Sequence, residues 1–79
     1  MPYKIYYQVC KYPHESFRNK YLVRKCIYDS DLLKFIKNET YVYGERNLNK
    51  LYKEITRMNY SYQSILSNTF ENISLPSIK

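Results

Sequence analysis

Four groups of side chains in this sequence have the types and spacing to suggest chemistry: two thiols, one imidazole, two close carboxylates, and cations set among tyrosines. Cys10 and Cys26 form no CxxC pair, and neither has other ligands at metal spacing, which argues against a zinc site. His14 stands in His14-Glu15-Ser16, the residue types of a catalytic triad. Adjacent residues cannot adopt that geometry. Nucleophile, base and orienting acid must converge from separate parts of a fold, about 3 Å apart in succession, beside an oxyanion hole. A solvated loop histidine is therefore expected, and a thiolate pair of Cys10 or Cys26 with His14 is no better supported, since a reactive thiol needs an electropositive, partly shielded setting. Both cysteines read as small buried thiols of a reducing cytosol. Asp29 and Asp31 open a helix-like pattern, where capping accounts for them without a metal. A single glycine, Gly44, removes the glycine-rich phosphate loops. The expectation is a protein that is not an enzyme, with no catalytic residues, cofactor or metal.

The cations are more informative. Arg18, Lys20, Arg24 and Lys25 stand beside Tyr21 and Tyr28, a mixture that suits phosphates and stacked bases. Lysine at a strand edge also blocks edge-to-edge aggregation, which explains the same residues without a ligand. The chain carries 13 Lys+Arg against 7 Asp+Glu, a formal charge of +6, and the excess lies almost wholly in residues 1 to 37. A basic surface speeds encounter with nucleic acid, an anionic membrane or an acidic protein without choosing among them.

The elements that must position these residues follow from hydrophobic periodicity. Residues 3 to 10 alternate, with Tyr3, Ile5, Tyr7 and Val9 on one face and Lys4, Tyr6, Gln8 and Cys10 on the other, and residues 20 to 28 resume strand chemistry after a loop holding Pro13. An antiparallel hairpin is the simplest pairing. Asp29-Ser30-Asp31 predicts a short helix over about 30–38, with Leu32, Leu33, Phe35 and Ile36 as its stripe. Thr40 to Tyr43 read as a brief strand, and Gly44 as a turn with positive φ. Leu48, Leu51, Tyr52, Ile55 and Met58 predict an amphipathic helix over 46–58 that Asn59 ends. Weak alternation from Tyr60 to Leu66 suggests a returning strand, and a last short element is expected around Phe70 to Leu75, with a loose tail from about 76.

Assembled, these elements predict one domain over 1–79 of class α+β: a small, mostly antiparallel sheet of three to four strands, with two helices packed on one face. Eleven tyrosines and no tryptophan suit a chain that builds surfaces as well as a core. If the odd-numbered apolar residues face the helices, the even-numbered face is exposed and carries the interaction surface. That face supplies Lys4, Tyr6, Gln8, Lys20 and Arg24, and the expected partner-binding set adds Arg18 from the loop and Lys25, which falls on the face of Tyr21 and Val23 near the strand's end or edge. Charge reversal at Lys20 and Arg24 is expected to weaken binding with thermal stability nearly unchanged. Cys10 and Cys26 share the even face, which leaves a disulfide open, and a free sheet edge leaves a homodimer open. The start of the chain lacks a signal-peptide pattern and no apolar run approaches the ~18 residues that span a bilayer, so a cytoplasmic protein without membrane attachment is expected.

The opening Met1-Pro-Tyr-Lys-Ile-Tyr-Tyr-Gln8 resembles the start of the small epsilon subunit of RNA polymerase from low-GC Gram-positive bacteria. Asp29-Ser30-Asp31-Leu32 is similar to the acidic helix start of some members, and Tyr62 to Asn68 to the family's late strand. The chain departs from that family in being basic and in carrying a helix within Thr40 to Met58. The resemblance implies a small α+β fold similar to a phage inhibitor of bacterial RNA polymerase, docked on the outer surface of the core enzyme, with no active-site residues. The expected function is a non-catalytic protein-binding accessory module, epsilon-like or a phage-type modulator of host machinery. The alternative is a basic nucleic-acid-binding protein that uses the Lys/Arg/Tyr strand.

Overall fold

A computed structural model describes residues 2–11 and 20–65 together with Phe70 and Leu75. Among them are strands β1 (Tyr3–Lys11), β2 (Lys20–Asp29) and β3 (Lys34–Gly44), helix α1 (Glu45–Met58) and strand β4 (Ser61–Ser64). The sheet order is β3-β2-β1-β4. β1 and β2 form the expected antiparallel pair, from Tyr3 opposite Asp29 to Lys11 opposite Tyr21, and β3 adds antiparallel to β2. α1 then carries the chain from one edge of the sheet to the other, so β4 runs parallel to β1, with Tyr6 opposite Ser61 and Val9 opposite Ser64. The protein is α+β, as expected; its four-stranded sheet is mixed, with two antiparallel pairings and one parallel, and one helix stands among the described residues where two were expected.

Alternation places the core. Tyr7, Val9 and Val23 of the odd-numbered face pack with Leu48, Leu51 and Ile55 of α1, whose three-, four- and seven-residue spacings set them on one stripe. Asn59 takes the left-handed conformation (φ 56°, ψ 40°), and the Tyr60 amide donates to the Ile55 carbonyl at 3.0 Å, ending the helix as expected.

Residues 30 to 38 depart from the helix expectation. Asp29 Oδ1 accepts from the Asp31 amide (2.8 Å) and the Leu32 amide (3.1 Å), which is helix-capping chemistry. Here it shapes a hairpin loop. The Ser30 amide donates to the Pro2 carbonyl at 2.7 Å, Leu33 turns the chain at φ 54°, and Lys34 begins β3. Capping alone cannot distinguish a helix start from an Asx turn, and the unsatisfied edge of β2 decides between them by accepting an eleven-residue strand. The brief strand expected at 40–43 is the end of that longer one. Gly44 is extended (φ −77°, ψ 167°) and precedes α1; a Cβ there would meet only Lys20 Nζ, at 3.6 Å, so positive φ is not its role. Pro13, His14 and Arg18, the tail from 76 and all of 70–75 except Phe70 and Leu75 lie outside the described residues; those two are not in a strand.

Candidate docking surface

The even-numbered face is not the open surface that alternation suggests. Gln8 is 0 % exposed and Arg24 7 %, although Lys4 and Lys20 remain in solvent and Tyr6 is half-buried. Arg24 Nε donates to Gln8 Oε1 at 2.7 Å, Arg24 Nη2 donates to the same oxygen, and Gln8 Nε2 donates to Gln63 Oε1 at 2.8 Å. One polar chain thus crosses β2, β1 and β4. The Phe70 ring caps it, 4.8 Å from the guanidinium carbon, so an aromatic ring from beyond β4 lies on the face expected to be bare. Strand periodicity reports which side chains share a face and is silent about what a distant segment lays over it.

The basic cluster is dispersed by the same register. Lys20 is exposed at the start of β2, Arg24 is buried on the even face, and Lys25 is half-buried on the odd face opposite Tyr7 and Glu39. The structure therefore does not gather Lys20, Arg24 and Lys25 on one exposed surface, and Arg18 lies outside the described residues.

Both thiols lie on the even face, free and buried. Cys26 pairs with Tyr6 and Cys10 with Leu22, so they stand four residues apart along the ladder. At about 3.4 Å per residue that is roughly 13 Å, beyond the ~7 Å Cα separation a disulfide tolerates. Burial pushes both thiols up from the ordinary value, against the partial opposition of the Arg24 guanidinium. Burial with a raised thiol pKa is the setting of a structural cysteine rather than of a thiolate nucleophile. Among the described residues no cluster of His, Cys, Asp and Glu is suited to a metal, and no helix is long and apolar enough to cross a membrane.

Exposed apolar surface is concentrated elsewhere, at the end of the sheet where β1 begins and β2 turns into β3. Leu33 is 75 % exposed and Leu32 58 %, with Tyr3 and Ile36 also substantially exposed. The exposed charges on the same strand ends and turn are Lys4, Asp31, Lys34 and Lys37. Of the apolar stripe expected to bury itself as a helix, only Phe35 is covered, its ring edge-on to Tyr28 (5.3 Å between centroids) and Tyr6 (6.5 Å). Beside this tip lies a groove of about 700 Å³ lined by Tyr3, Ile5, Ile27, Met58 and Tyr60 among others. It exists because β4 pairs with β1 only from Tyr6 onward, leaving Tyr3 to Ile5 as an open edge. Sequence reasoning missed the tip by reading Leu32, Leu33 and Ile36 as core. Comparison with protein-family models, with curated proteins and with solved structures finds no match to this chain.

Proposed function

We propose that this chain is a non-catalytic docking module that binds another protein through the Leu32–Leu33 hairpin tip and the adjoining β1 groove. One observation carries the reading: Leu32 and Leu33, the latter the most exposed of the large apolar side chains described, stand with Ile36 and Tyr3 at one end of the sheet beside the β1 groove. Apolar anchors in a polar, charged rim are the usual anatomy of a protein interface, and here the neighbouring charges are Asp31, Lys4, Lys34 and Lys37. The likeness of residues 1 to 8 to the polymerase epsilon subunit supports the bacterial RNA polymerase core as the assembly bound, and a cytoplasmic site of action goes with it.

The test is capture of partners by the tagged chain from a bacterial lysate, with and without nuclease, beside a Leu32→Asp/Leu33→Asn variant. Stoichiometric RNA polymerase that survives nuclease and is lost with the variant is the expected result. Equal capture by the variant removes the tip from the interface. Nucleic acid with scattered proteins, all lost on nuclease treatment, would instead favour the basic-strand reading.

A further inference from the structure

We infer that β3 is a homodimerisation edge, at which a second copy of this chain adds antiparallel across a two-fold axis through Thr40 and extends the sheet to eight strands. β3 is the outermost strand, and its Thr40, Tyr41 and Val42 are exposed, Val42 at 54 %. The direction of its backbone groups follows from the ladder. The Val9 carbonyl accepts from the Ile65 amide, so odd residues of β1 bond toward β4 and even ones toward β2. Through the pairs Gln8 with Arg24 and Val23 with Tyr41, odd residues of β3 then bond inward to β2. Asn38, Thr40 and Val42 therefore point their amides and carbonyls out of the sheet, a row that a partner strand satisfies.

The register is chosen by charge and by a bulge. The β2–β3 ladder is regular from Lys37 to Gly44 and breaks between Ile27 and Tyr28, where Phe35 to Lys37 on β3 oppose two residues. A two-fold through Asn38 drives the partner into that bulge. One through Glu39 sets Glu39 against its own copy, a directly opposed like-charge pair. One nearer Gly44 runs the partner's strand past the start of α1. The axis through Thr40 avoids all three. It pairs Thr40 with Thr40, Asn38 with Val42, Glu39 with Tyr41 and Lys37 with Tyr43, so each carboxylate faces a phenol and each ammonium an aromatic ring. Glu39 already holds Lys37 Nζ at 3.0 Å and accepts from the Tyr41 hydroxyl within its own chain. Dimerisation adds a second phenol to that carboxylate and covers Tyr41 and Val42.

Sedimentation velocity and crosslinking test this. The intact chain is expected to associate as a monomer–dimer system with Kd below about 100 μM. Thr40→Cys should give a covalent dimer on mild oxidation, since paired strands bring their Cα atoms within disulfide reach; Thr56→Cys, exposed on α1, should not. Thr40→Pro removes an outward amide without touching the β2 ladder and should weaken dimerisation at least about tenfold. If that variant fails to fold, the cysteine pair still decides. A chain that stays monomeric at millimolar concentration, a dimer that neither cysteine crosslinks, or equal crosslinking at both positions overturns the inference.

Discussion

Leu33 is where local strain and exposure coincide. A β-carbon in the left-handed region costs on the order of 1 kcal/mol, and Leu33 bears that cost at φ 54° while burying little. Leu33→Asn, which tolerates the conformation, is expected to raise the urea midpoint by the equivalent of about 0.5–1 kcal/mol and to weaken partner capture. A lower midpoint would mean that the leucine packs in the native state. Tyr7 gives a second expectation. Desolvation, then the Glu54 carboxylate, then Tyr43 and Tyr60 push its phenol up to about 12, against about 10 in the unfolded chain. The neutral phenol is thus favoured by folding, so its contribution is complete below pH 10 and is lost as pH rises through 12. Denaturant midpoints for Tyr7→Phe should fall less steeply over that window. Part of the fall should persist, because burial and the Tyr62 hydroxyl also raise Tyr52. Parallel profiles for the two proteins would refute the assignment. That Cys10 and Cys26 are small buried thiols was legible in the sequence; their separation along the ladder was not, since it depends on register.

At the scale of elements, the polar chain of Arg24, Gln8 and Gln63 ties three strands together on a face that alternation leaves open. Removing the guanidinium takes two donated hydrogen bonds from a buried amide oxygen, so Arg24→Met is expected to cost about 2–3 kcal/mol in urea unfolding. Lys20→Glu, at an exposed strand start, should stay within about 0.5 kcal/mol. Charge reversal at both positions would therefore report stability more than binding, contrary to the reading from sequence. Equal unfolding midpoints for the two variants would show that the network is not buried. β1, β2, their antiparallel pairing and α1 were legible because each carries a strong period of two or 3.6. β3 was not. Leu32, Leu33, Phe35 and Ile36 satisfy a helical stripe, and nothing local to them records that β2 has a free edge.

For the whole molecule, a docking interface built on leucines and lysines predicts a modest salt response. Affinity for the captured partner should fall by less than about tenfold between ~50 and ~200 mM salt, whereas a phosphate-dominated complex would lose about a thousandfold or more. Binding isotherms at the two concentrations separate them. A steep loss would return the basic strand to consideration. By itself the sequence determined the α+β class, the first hairpin and the amphipathic helix with its Asn59 cap, because periodicity and capping act over a few residues. Tertiary structure alone decided that β4 lies parallel to β1 beyond the crossover of α1, that Phe70 caps Arg24, and that the Leu32–Leu33 tip stays in solvent. Each of these depends on which distant segment satisfies an open sheet edge or covers a sheet face, and that competition between segments leaves no trace in the local pattern of either one.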